Sequence, residues 1–242
     1  MAELTLPPRS RLIAHDLKRT LIHECGHLIV GDHVGVEKSF ARFWLYEDAD
    51  PANDHLVGGQ SSYFPPLRGR AMQLMGVAGL VAECLADEED FSSVDILDWI
   101  DGNIIGMSAT DREGAGEIDE ALLDDCAGIL RRRWTDLIAE AVHFLGRFET
   151  SYAADAEVAE AASAVRDELE GLRDRFTAMF RFARLDVGLT WQAAEALVAH
   201  SIRHEDLLSM RLSEIRRLRG IGKVSMAKIC AYRGRFLTSD AA

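Results

Sequence analysis

The feature that most constrains this chain is the pentad His23-Glu24-Cys25-Gly26-His27. It lies in a stretch whose apolar residues Leu17, Leu21, Cys25, Leu28 and Ile29 recur at helical spacing. That spacing predicts a helix from Asp16 to about Val30, with Asp16 as its cap and Gly31 and Gly35 around its end. Two His four apart on a helix lie roughly 40° apart around the axis, so both imidazoles reach one point. Neutral imidazole suits zinc. Glu24, beside the first His, puts a carboxylate where a base can take a proton from water polarised by such an ion. Gly26 permits close approach of another backbone. A second pair, His200 and His204, has the same spacing but no Glu after its first member, and it reads as structural or solvent-exposed.

A hydrolytic zinc takes a third protein ligand and keeps one position open. Two acids qualify. Glu83 lies in a predicted helix, residues 68–87, that is nearly free of charge, where an acid needs a reason to be buried. Asp111 follows Thr110 in Thr110-Asp111-Arg112-Glu113, which fits a capping box, and a helix start favours an anion. The residues alone leave both open.

The remaining pattern predicts an α+β, mostly helical chain. Residues 39–46 and 55–64 are strand-like, the second weakened by Gly58 and Gly59 and stopped by Pro65 and Pro66. An acidic, glycine-containing loop leads to Thr110, and helix runs from Asp111, with a break, toward Leu145. Val158, Ala162, Val165, Leu169, Leu172, Phe176, Met179 and Ala183 form a heptad-like seam. That seam fits either a coiled coil with a second copy or a helix packed on its own domain. Short helices follow over 185–237. The expected layout is a peptidase-sized domain at 1–148, a helical connector at 149–184 and a small all-α module at 185–242.

Charge follows the same division. Residues 1–150 hold 13 Lys+Arg against 27 Asp+Glu, whereas residues 211–242 hold 8 against 2. An acidic module repels nucleic acid and a basic one attracts it. Cys25, Cys84, Cys126 and Cys230 form no CxxC pair and read as small packed thiols, neither disulfides nor zinc ligands. No apolar run approaches the roughly 18 residues of a membrane span, and the start does not read as a secretory leader, so the expectation is a cytoplasmic protein away from membranes.

Residues 11–145 resemble the peptidase domain of the FtsH-type AAA proteases. RTLIHECGHLIVG is similar to that family's HEAGH helix, VAGLVAECLADEE to its glycine-plus-AAEEL helix, and MSATDREGAGEI to its GASNDLERAT segment. The resemblance implies a zincin-like HExxH peptidase with zinc on His23, His27 and Asp111, Glu24 as catalytic base and Glu83 in support. It also implies that HLVGGQSSYFPP, with Gly58, Gly59, Gln60 and Ser61, is an edge strand against which an extended polypeptide substrate pairs. The chain departs from the family at Cys25 and Thr110, and no Walker sequence or membrane helix accompanies the motifs. The implied activity is therefore ATP-independent cleavage of flexible or partner-presented polypeptide.

LSEIRRLRGIGKVSMAKICAYRGRF resembles a helix-hairpin-helix, and the wider stretch resembles the C-terminal domain of the bacterial RNA polymerase α subunit. In such a motif Gly220, Gly222 and Lys223 would offer backbone N–H groups and a cation to a phosphate. Arg216, Arg217, Arg219, Lys228, Arg233 and Arg235 add charge. DNA-backbone binding and protein docking are both open for this module. The whole chain has an alternative reading as a DNA- or protein-binding regulator whose zinc site is structural or latent. An intact Glu24 weighs against it, because a structural site needs no base there.

Overall fold

The computed structural model describes residues 8–47, 55–87, 92–102, 106–185, 187–203 and 205–237. Its contacts divide the chain into two units, Met1–Leu172 and Arg173–Ala242. The division falls inside a helix, α7 (Ala156–Phe180).

The first unit is built around α1 (Arg9–His33). Ile13, Leu17, Leu21, Cys25 and Val30 on this helix are fully buried. The helix starts seven residues before the expected cap. Asp16 is therefore an interior residue, and its carboxylate instead accepts from the Leu56 backbone N–H at 2.7 Å, tying α1 to the strand that follows. Strands β1 (Lys38–Leu45) and β2 (Val57–Phe64) pair antiparallel, with Lys38 opposite Phe64 and Leu45 opposite Val57. Period-2 alternation puts Ala41, Phe43 and Val57 on the face toward the helices. Ala41 and Val57 are buried there, and the Phe43 ring lies 5.2 Å from Phe144.

Helix α2 (Arg70–Ala86) is buried along most of its length and packs on α1. Helix α3 (Ser93–Asp101), capped by Ser92, occupies part of what the acidic composition had suggested was loop. Next come α4 (Ala109–Ala115), α5 (Glu120–Arg132) and α6 (Trp134–Ser151). The cap of α4 is Ser108, whose Oγ accepts from the Asp111 N–H at 3.0 Å, and not Thr110, which lies inside the helix. The seam on α7 is filled from within the chain: Val158, Ala162, Val165 and Leu169 are fully buried. Ion pairs from Arg9 to Asp155 and from Lys18 to Glu168 hold this part of α7 along α1. The domain-packing reading of the seam thus holds over the coiled-coil one.

The second unit is all-helical beyond α7: a π-helical turn at Arg181–Leu185, then α8 (Trp191–Ala199), α9 (Asp206–Ser209), α10 (Leu212–Ile215) and α11 (Lys223–Leu237). Phe182, Leu197, Leu207, Ile215, Ile229 and Tyr232 form its core. Among the described residues, no helix is long and apolar enough to cross a membrane.

Candidate metal centre

Three elements meet at the pentad, and glycines let them meet. A Cβ at Gly26 on α1 would come 2.8 Å from the Ala78 carbonyl of α2. A Cβ at Gly76 would come 2.2 Å from the Ala115 backbone nitrogen, so Gly76 seats α4 on α2. A Cβ at Gly79 would fall 2.3 Å from the His23 ring, so Gly79 is the floor on which that imidazole lies. The close approach expected at Gly26 is present, and Gly76 and Gly79 extend it.

The side chains converge accordingly. His23 Nε2 lies 3.2 Å from His27 Nε2 and 3.3 Å from Asp111 Oδ2, and His27 Nε2 lies 3.4 Å from Asp111 Oδ1. A tetrahedral zinc with bonds of about 2.0–2.1 Å has donor–donor edges of about 3.3–3.4 Å. The 3.3 and 3.4 Å separations go to different Asp111 oxygens, and one ligand atom from each of the three residues lies within 4.8 Å of the others, so this two-nitrogen, one-oxygen group could hold such an ion.

Glu83 stands behind this set. Its Oε1 is 2.5 Å from His23 Nδ1 and its Oε2 is 2.5 Å from Arg19 Nε. It thus orients the His23 ring, with Nε2 facing Asp111. Arg19 was not singled out from sequence. Burial works against a charged His23, but its hydrogen bonds to Asp111 and Glu83 outweigh it and raise that imidazole to about 10. Burial and the charge on His23 lower His27 to about 4. Asp111 and Glu83 are both held below the usual carboxylate range by the imidazoles, despite burial.

Glu24 is buried beside this group, and burial pushes its carboxyl above the ordinary range against the pull of His23 and Ser61. The Ser61 hydroxyl and backbone both hydrogen-bond to it. On β2, a Cβ at Gly59 would meet Glu24 Cγ at 2.8 Å, so the strand runs directly against Glu24. Of the four strand residues named from sequence, Gly58 and Gly59 line the groove, Ser61 bonds Glu24, and Gln60 points away and accepts from Arg42. The groove, about 460 Å³, is also lined by Thr20, His23, Trp44, Tyr46 and Met107. A larger cavity of about 740 Å³ shares Arg19 and Glu83 with it but does not reach His23 or Glu24. Cys25 is buried in the core, and its thiol is pushed well up by burial, in keeping with a packing role.

In the second unit, Gly220 has φ +90° and leads with Gly222 into α11, where Lys223 is the first residue. A Cβ at Gly220 would meet Ala196 at 2.9 Å, so this glycine serves helix packing as well as the turn. Arg216, Arg217, Arg219 and Lys223 are exposed. Lys228 and Arg233 are used internally: they donate to the carbonyls of Gly188 at 2.5 Å and Met210 at 2.6 Å. The Arg235 side chain and His204 lie outside the described residues; His200 is exposed.

No protein family, curated protein or solved structure matches this chain.

Proposed function

We propose that this chain is a zinc-dependent endopeptidase of zincin-like, FtsH-type character, acting without ATP on flexible polypeptide in the cytoplasm. One observation carries the reading: His23, His27 and Asp111 bring one ligand atom each within 4.8 Å of one another, with the buried Glu24 carboxylate beside them. When bound, a zinc ion there supplies Lewis acidity and brings the pKa of water from about 16 toward about 7. Glu24 takes the proton from the attacking water and returns it to the leaving amine nitrogen. Its raised pKa suits both transfers.

Strand β2 supports the substrate assignment. The Tyr46 N–H bonds to the Leu56 carbonyl, so by antiparallel alternation the main-chain groups of Gly59 and Ser61 face away from β1. That edge runs beside Glu24, where an extended peptide can add as a strand. The exposed Arg216, Arg217, Arg219 and Lys223 favour a recruiting role for the second unit. Duplex DNA would bind there with steep salt dependence, and a protein partner with shallow dependence.

The test is zinc content by mass spectrometry with cleavage of casein and disordered peptides, for wild type and Glu24→Gln. One zinc per chain in both, with cleavage in wild type alone, is expected. Zinc in both without cleavage would favour the latent or regulatory alternative. Absence of zinc from protein purified without chelator would end the metal reading.

A further inference from the structure

The sheet has a second face, turned away from α1. Period-2 alternation puts Lys38, Phe40, Arg42 and Trp44 of β1 on it, with Gly58, Gln60 and Phe64 of β2. Trp44 is held in place on this face. The Arg42 guanidinium lies 5.5 Å from its ring centroid, and Tyr46 meets it edge-on at 6.1 Å. Arg42 is in turn anchored on Gln60. Beneath the ring is Gly58, where a Cβ would come 2.5 Å from the indole. Gly58 thus lets the ring lie against the β2 backbone, one residue from Gly59, which abuts Glu24. Both Trp44 and Tyr46 are half-buried and line the groove that holds His23 and Glu24. Beyond them Phe40 and Phe64 are 61% and 60% exposed on the same face, so the aromatic surface continues outward from the groove.

We infer that Trp44 and Tyr46 form a side-chain subsite that selects polypeptide substrates carrying an aromatic or large apolar residue next to the scissile bond. This rests on the peptidase reading above. An extended chain alternates its side chains, so a peptide lying on the β2 edge directs every second one to the Trp44 face. An aromatic side chain there gains an edge-to-face or offset contact with a ring whose orientation is already fixed, at little ordering cost. Polypeptide fits better than nucleic acid, because residues 1–150 carry twice as many acids as bases and the groove itself holds Asp16, Glu24 and Glu83.

The test uses the zinc-loaded full chain carrying Glu24→Gln, which binds without turnover. Two labelled disordered peptides that differ only by Phe or Ala at the centre are titrated by anisotropy. The Phe peptide should bind about tenfold tighter. Adding Trp44→Ala should abolish that ratio, with circular dichroism and zinc content as folding controls. Gly58→Ala, which keeps the indole but displaces it, should abolish it too. Wild-type cleavage sites should then cluster beside aromatic residues. Equal binding of the two peptides, or a preference that survives Trp44→Ala in folded protein, would overturn the subsite. A Trp44-dependent preference in a wild type that cuts nothing would refute the peptidase instead, and cleavage without preference would refute the subsite alone.

Discussion

Gly79→Ala places a single methyl group under the His23 imidazole. Its Cβ would lie 2.3 Å from His23 Cε1, 2.4 Å from Nε2 and 2.5 Å from Nδ1. Ordinary carbon contacts begin near 3.5 Å, so the ring must withdraw by about 1 Å. Nε2 now stands 3.3 Å from Asp111 and 3.2 Å from His27, and metal–ligand bonds tolerate about 0.2 Å of error. Relief by moving α2 is blocked, because the same helix is held against α1 at Gly26 and against α4 at Gly76. The ring also cannot withdraw without stretching its 2.5 Å bond to Glu83. Losing an orienting partner typically weakens metal binding 10- to 100-fold, and the displaced ring should lose about that much. Overpacking should also destabilise the stripped protein by about 1–3 kcal/mol. Zinc competition against a chromophoric chelator and thermal melts of stripped protein measure both. Gly128→Ala is the control: its Cβ meets only Arg132 Nη1 at 3.5 Å, and helix propensity should make it neutral or slightly stabilising. Wild-type zinc affinity in Gly79→Ala would refute the claim that this glycine seats the ligand.

Glu83→Gln should weaken zinc binding about 10-fold or more in the same assay, since the carboxylate that orients His23 becomes an amide. In stripped protein the folded pKa of His23 is raised from 6.5 to about 10, so its stabilising charge is complete below pH 6.5 and is lost as pH climbs to about 10. Melting temperature of the stripped protein, compared with Glu83→Ala across that window, should fall in the parent and fall less in the variant. Leu169→Ala should cost about 2–5 kcal/mol in denaturant melts and leave the sedimentation mass unaltered, because the residue is buried within its own chain. A change of mass instead would restore the coiled-coil reading of the seam.

Periodicity made the large elements legible: α2 and the hairpin fall close to where spacing puts them, α1 covers its expected span but begins seven residues earlier, and the pentad's own geometry needs only a helix. The errors came from local chemistry that several residues could perform. Ser108 and Thr110 are both hydroxyls three residues before an acid, and the helix begins after the earlier of the two. Asp16 looked like a cap because it precedes an apolar run, but its carboxylate answers a backbone N–H forty residues away. Ser61 was expected only as part of the edge strand, Gly79 and Arg19 sat in motif-bearing helices with no role of their own, and Trp44 carried no motif. Their roles depend on which helix or strand lies opposite, although the small residues Gly76, Ala78, Gly79 and Ala82 on a charge-poor helix were a signal of close helix contact.

Helix α4 has seven residues, less than two turns, yet it supplies one of the three donors while the long, deeply buried α1 supplies two. A helix so short has little stability of its own and depends on its Ser108 cap and its seat at Gly76. The metal would then act as a clasp, fastening a light jaw to a heavy one. Grip on the ion and rigidity of residues 108–116 become a single thermodynamic quantity, read from either side. Chelation should loosen that jaw to proteolysis and hydrogen exchange while the core of α1 stays closed, and any ligand that steadies α4 should tighten the hold on zinc.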